Sequence, residues 1–169
     1  IEGINRTVAD RYAKTDYVDS YVAFLDILGM KELVERPYTD LRTLFNAAES
    51  GKVLYSQIQV PGGQKFIGQD HLKMTIMSDA LVLSINANID QAFSKLVGFS
   101  SYFINRLLGA LEVPVFLRGG IERGLIYQDG NTVFGPGLVA AHRLENEVAK
   151  SMRCVVSPEL DKDEMVQDY

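Results

Sequence analysis

FLDILGM, Phe24 to Met30, sets an acid inside a run of strand-forming apolar residues and closes the run with a glycine. A bare carboxylate buried among Phe24, Leu25, Ile27 and Leu28 would cost several kcal/mol, so Asp26 has to be paired, ligated or placed at a strand end. A positive group is expected beside it. Ser20 to Leu28, rich in Tyr, Val, Phe, Leu and Ile, reads as a buried strand that Gly29 ends.

Working outward from that strand, Met30 to Glu35 suggests a short helix stopped at Arg36-Pro37, because the residue before proline avoids helical backbone. Tyr38 to Leu54 has helical spacing at Leu41, Leu44, Phe45 and Ala48, and residues 60–71 read as a loop or ragged hairpin arm. LKMTIM and ALVLSI, separated only by Ser78-Asp79, form a tight hairpin with Asp79 at its tip. From Ile89 to Leu111 apolar residues recur every three or four positions, the mark of a long helix capped by Asn88 or Asp90. Val115 to Glu122 and Gly124 to Gln128 read as a strand pair turning again at Asp129-Gly130; FGPG then precedes a helix over Leu138 to Lys150, and Cys154 to Val156 is a last strand. The order β-α-α-β-β-α-β-β-α-β predicts an α+β fold with helices on one face of a mostly antiparallel sheet. We divide the chain into a lead-in (1–19), one catalytic-type domain (20–157) and an acidic end (158–169) with no core role.

The 169 residues, 47% of them apolar, suffice for one domain with a full core. A net charge of -5 gives no basic footprint for nucleic acid. The single cysteine, Cys154, excludes an internal disulfide and a multi-cysteine zinc site, and the two histidines, His71 and His142, add little metal-binding capacity. Without an apolar run of membrane-spanning length or a signal-peptide pattern, a cytoplasmic location is expected.

The first strand's end and the hairpin tip should lie side by side, so Asp26 and Asp79 would repel unless a divalent cation sits between them. A hard ion, Mg²⁺ or Mn²⁺, suits two carboxylates, and the peptide N–H groups of Leu28, Gly29 and Met30 could hold phosphate oxygens. Plainer readings stand beside these. Asp26 could be a strand-end acid paired to a surface cation, Arg118 could cover a sheet edge, and Arg143 could pair with Glu147 at i+4. His142 and Cys154 read as structural, and the glycines of RGGI as a close strand approach or bulge.

The motifs resemble those of class III nucleotide cyclases. FLDILGM is similar to the family's first metal motif and IMSDALV to its second, while LRGGIERG looks like the Arg-x-Gly-Ile-x-x-Gly strand pair and TVFGPGLVAAHRLE like the segment ending in Ala-x-Arg-Leu. The resemblance covers residues 20–157 and implies a ferredoxin-like βααββαβ core. It also implies that Asp26, Asp79 and the Ile27 carbonyl bind two Mn²⁺ or Mg²⁺ ions, that Arg118 approaches the triphosphate, that Arg143 stabilises charge at the α-phosphate, and that Arg153 is a further phosphate contact. In the family the helix arginine reaches in from a second subunit, so a homodimer is expected.

Where purine-specific members read adenine with Lys and Asp, this chain has Thr75 and Thr132, and the ribose-positioning Asn is Val139. FLDILG at the front and FGPxLVxA…LE followed by an Arg-led final strand look most like the pyrimidine cyclases of the bacterial anti-phage system Pycsar. That resemblance implies conversion of UTP or CTP to cyclic UMP or cyclic CMP, a messenger that activates a separate effector. Phe45 and Tyr55 are candidates to fill a pocket smaller than a purine's. The alternatives are an adenylate or guanylate cyclase, an inactive nucleotide-binding sensor, and a ferredoxin-like module without ligand.

Overall fold

The computed structural model describes residues 16–36, 41–56, 71–112 and 114–160, with side chains except those of residues 41 and 51–56. Most of the lead-in, the 60–70 loop, the Tyr55 side chain and the tail beyond Leu160 fall outside these residues.

β1 (Val18–Leu28) begins two residues earlier than expected, inside the segment read as lead-in. α1 (Met30–Glu35) follows, and Arg36 is already extended at φ −75° and ψ 126°, as a residue preceding proline should be. Then come α2 (Leu41–Ser56), β2 (Leu72–Met77), β3 (Ala80–Asn86), α3 (Ala92–Leu108), β4 (Phe116–Asp129), β5 (Thr132–Phe134), α4 (Pro136–Val148) and β6 (Cys154–Val156). The expected order of element types holds, but the strands read at 115–122 and 124–128 are one strand, and the second strand of that pair is Thr132–Phe134.

The strands form one sheet, β2-β3-β1-β4-β5, with β6 parallel to β4 along its outer edge and every other pairing antiparallel. Alternation along β1 sends Tyr21, Ala23, Leu25 and Ile27 to one face, where they pack with Leu44 and Ala48 of α2 and Leu96, Phe99 and Phe103 of α3. Val22 and Phe24 point the other way, into a second cluster with Val82, Ile126, Ala141 and Leu138. Helices therefore lie on both faces, not one.

Gly120 and Gly124 explain that difference. A Cβ on Gly120 would strike the Ala141 carbonyl and stand 2.9 Å from the Glu145 nitrogen; one on Gly124 would come within 2.9 Å of the Gly137 Cα. Here α4 lies against the strand backbone, and any side chain would lift it off. The same contacts show why LRGGIERG is no hairpin: β4 runs unbroken through Arg123 and Gly124, and the turn comes at Gly130 with φ 53°.

Two other expectations fail for packing reasons. α3 starts at Ala92 behind Gln91 at φ 54°, because residues 86–89 are taken up in a turn in which the Asn86 carbonyl accepts from the Ile89 N–H. Neither Asn88 nor Asp90 caps it. Leu160, read as part of a coreless tail, is 3% exposed and belongs to the main cluster.

Candidate functional site

Asp26 stands near the end of β1, in register with Ala80 on one side and Arg118 on the other. Beyond it the Ile27 N–H donates to the Asp79 carbonyl at 2.8 Å, which ties the end of β1 to the β2–β3 hairpin tip. In an extended strand a residue's N–H and C=O project to the same side, so the Ile27 carbonyl faces that tip as well. Ser78 takes the left-handed conformation at φ 52° to make the turn, and Asp79 is exposed. Its carboxylate has no hydrogen-bond or ion-pair partner among the described residues. Leu28, Gly29 and Met30 form the turn into α1, with Gly29 at φ 74°.

The positive group expected beside Asp26 is Arg118. Its Nε lies 3.3 Å from Asp26 Oδ2 and in close contact with Glu145 Oε1, an acid of α4 only 1% exposed. Burial pushes the Glu145 carboxyl above the ordinary carboxylate range; Arg118 opposes that shift, Asp26 adds to it and His142 lowers it slightly. On this edge Asp26 accepts the Nε hydrogen bond, while Glu145 makes an ion-pair contact only, its Oε1 buried without a hydrogen-bond partner among the described residues. The Nη edge makes no hydrogen bond among the described residues.

α4 carries Gly137, Ala141 and Glu145 on the face against β4 and Val139, His142 and Arg143 on the outer face. Arg143 is exposed and forms no ion pair with Glu147 or any other described residue. His142 meets the Phe24 ring edge-on at 4.8 Å and takes part in a 3.0 Å hydrogen bond with Asn146. Phe24, Ile76, Asp79, Leu138, Val139 and His142 help line an open cavity of about 710 Å³ between the hairpin tip and α4.

The remaining sequence candidates go to different places. Arg153 donates to the Val148 carbonyl at 2.5 Å and so closes the C-terminal end of α4. Thr132 is exposed in β5, in register with Asp129 across the turn that contains Gly130. Thr75 itself is buried: its hydroxyl donates to the Gly130 carbonyl at 3.0 Å and accepts from Gln128 Nε2 at 2.9 Å. Phe45 rides on α2, whose inward residues Leu44 and Ala48 pack on the sheet face opposite Asp26, so it is not brought to this site. Cys154 is a strand residue whose thiol is pushed up to about 11 by burial, in keeping with its structural reading.

Two residues escaped the sequence reading. Glu145 sits four and eight positions after the small residues Ala141 and Gly137, a spacing that marks it as inward-facing. Gln128, 4% exposed, has no comparable local signal.

No family model matches the sequence, and no curated protein matches it. Among solved structures the chain superposes on the crystal structure of the catalytic core of a rhodopsin-guanylyl cyclase with converted specificity in complex with ATPαS. The TM-score is 0.58 at 15% identity, over 83% of this chain and 77% of that one. The fold is that of a class III cyclase catalytic core. At this identity the likeness is one of architecture, and the chemistry has to be argued from the residues.

Among the described residues no three His, Cys, Asp or Glu side chains converge as a metal cluster. Two carboxylates and a main-chain carbonyl at one tip are nonetheless a fitting donor set for Mg²⁺ or Mn²⁺. Such ions keep several waters and bind through one or two carboxylates plus substrate phosphates.

Proposed function

We propose that the chain is a nucleotide cyclase that converts a pyrimidine nucleoside triphosphate, UTP or CTP, to its 3′,5′-cyclic monophosphate and pyrophosphate. The observation that carries the reading is the Ile27–Asp79 main-chain hydrogen bond, which ties Asp79 to the end of the strand bearing Asp26, with Arg118 on that strand's other side. Asp26, Asp79 and the Ile27 carbonyl would hold divalent cations. When bound, these ions lower the pKa of the ribose 3′-hydroxyl and neutralise the triphosphate.

The chain's own part is positioning and charge. The Nη edge of Arg118, without a hydrogen bond among the described residues, can donate to phosphate oxygens in bidentate fashion. As the 3′-oxygen attacks the α-phosphorus, its proton passes to solvent and pyrophosphate leaves in line; Arg143 stabilises the negative charge that builds there. Arg143 is exposed on the outer face of α4 without a partner among the described residues, which suits delivery to a second subunit's Asp26 across a two-fold homodimer.

For the base, Thr75 has already spent its donor on Gly130 and carries no charge, so the position that would read adenine offers a purine nothing. Selection of a pyrimidine and a messenger role in antiviral defence follow from the sequence resemblance. Incubating the protein with each of the four triphosphates and Mn²⁺ and weighing the products tests the reading. Cyclic UMP or cyclic CMP in excess is expected, and a purine product in excess overturns the base assignment.

A second reading is a nucleotide-binding sensor without turnover. Val139, apolar and 59% exposed where the resemblance places a ribose-positioning Asn, favours it. Tight triphosphate binding with no cyclic product would select it.

A further inference from the structure

Arg118 is shared through a single nitrogen between two unequal acids. Asp26, with 19% of its side chain accessible, is a partner that solvent or an ion can reach; Glu145, at 2%, is not. The guanidinium, 27% accessible, reaches out between them. A cation bound to Asp26 would weaken the Asp26–Arg118 pair and repel Arg118 at short range. With no other acid, the arginine would either keep Asp26 from the cation or swing away from the site.

We infer that Glu145 is a positioning residue that retains Arg118 by ion pairing from the buried side. It frees Asp26 for a cation while keeping the Nη edge directed outward. The inference rests on the proposed cation-binding role of Asp26 and adds a residue to which that proposal assigns no part. Burial makes the retention effective, since the Glu145–Arg118 pair is poorly screened by solvent and cannot be displaced by an ion that does not reach it.

The test is calorimetric titration of the substrate-free protein with Mn²⁺, combined with a double-mutant cycle. Glu145→Gln should leave Asp26 as the only acid on Arg118 and weaken Mn²⁺ binding about tenfold, or about 1.4 kcal/mol. Arg118→Gln should tighten binding, because a like charge beside the cation is removed. Adding Glu145→Gln to Arg118→Gln should then weaken binding by less than about threefold, the residue of plain charge loss. An equal loss in both backgrounds, or none in the wild-type background, overturns the inference. Thermal melts separate these results from unfolding, and if Glu145→Gln does not fold, weaker binding in Arg118→Gln alone refutes it. Asp26→Asn distinguishes the two levels. Wild type that binds no Mn²⁺, or binds it as well without Asp26, sinks the proposed cation site. Binding that depends on Asp26 but ignores Glu145 sinks only the positioning role.

Discussion

The same face of the sheet treats polar groups in opposite ways at its two ends. Under the arch of β4, Gln128 accepts from Ser84 Oγ at 2.6 Å and donates to Thr75 at 2.9 Å and to the Val82 carbonyl at 3.2 Å, while Lys73 Nζ donates to the Gln128 main-chain carbonyl at 2.7 Å. Ser84, Thr75 and Gln128 are each under 5% exposed, and each has its partners. Among the described residues Asp79 at the hairpin tip and the Nη edge of Arg118 on β4 have no hydrogen-bond partner, and Asp26 leans on an arginine that it shares. A buried polar group that is fully satisfied holds structure together, whereas one left open at the surface is available to a ligand. In the proposed reading stability belongs to one end and chemistry to the other.

The contrast is broken most directly by removing the open acids. Asp26→Ala or Asp79→Ala should lower cyclase turnover on the order of 10³-fold, while thermal melts stay close to wild type, since Arg118 retains Glu145 and Asp79 had no partner. Full turnover in Asp79→Ala would remove the tip from the chemistry.

Complementation sharpens the comparison by asking whether the open end is completed by another chain. Inactive Asp26→Ala and inactive Arg143→Ala proteins, mixed, should recover roughly a quarter of wild-type activity, because half the dimers are mixed and each has one intact site. Heterodimers detected by light scattering but without activity would confine Arg143 to a solvated helix face.

The smallest effect on catalysis is expected at the closed end. Gln128→Leu leaves the Ser84 hydroxyl without its acceptor and should cost about 1–3 kcal/mol of stability by denaturant titration, with turnover per folded molecule little changed. Lost turnover at full stability would instead make the network part of the site.

The order of elements could be read because it rests on local signals. A nearly continuous apolar run marked β1, Ser78-Asp79 marked a hairpin, Gly130 a turn and FGPG the start of α4. The neighbourhood of Asp26 and Asp79 followed from that order, since antiparallel pairing of β1 with β3 necessarily brings the end of one strand to the turn of the other.

Other features depend on partners distant in sequence. The continuity of β4 is decided by α4 lying on Gly120 and Gly124, and the same glycines would serve a turn elsewhere. Phe45 matched the composition of a pocket wall, yet the face it occupies is set by how α2 packs with α3. Thr75 could have faced a ligand until Gln128, 53 residues on, reached over to occupy it.

By itself the sequence determined which segments are strands and helices outside β4 and β5, that Asp26 needs a positive neighbour, and that Asp79 sits at a turn, because periodicity and turn chemistry act over a few residues. Only the tertiary structure decided that Arg118 is this neighbour, that Glu145 shares it from beneath, and that α4 covers the second face. These depend on contacts between β1, β4 and α4 that form when the whole chain closes, and Arg118 lies 92 residues from Asp26.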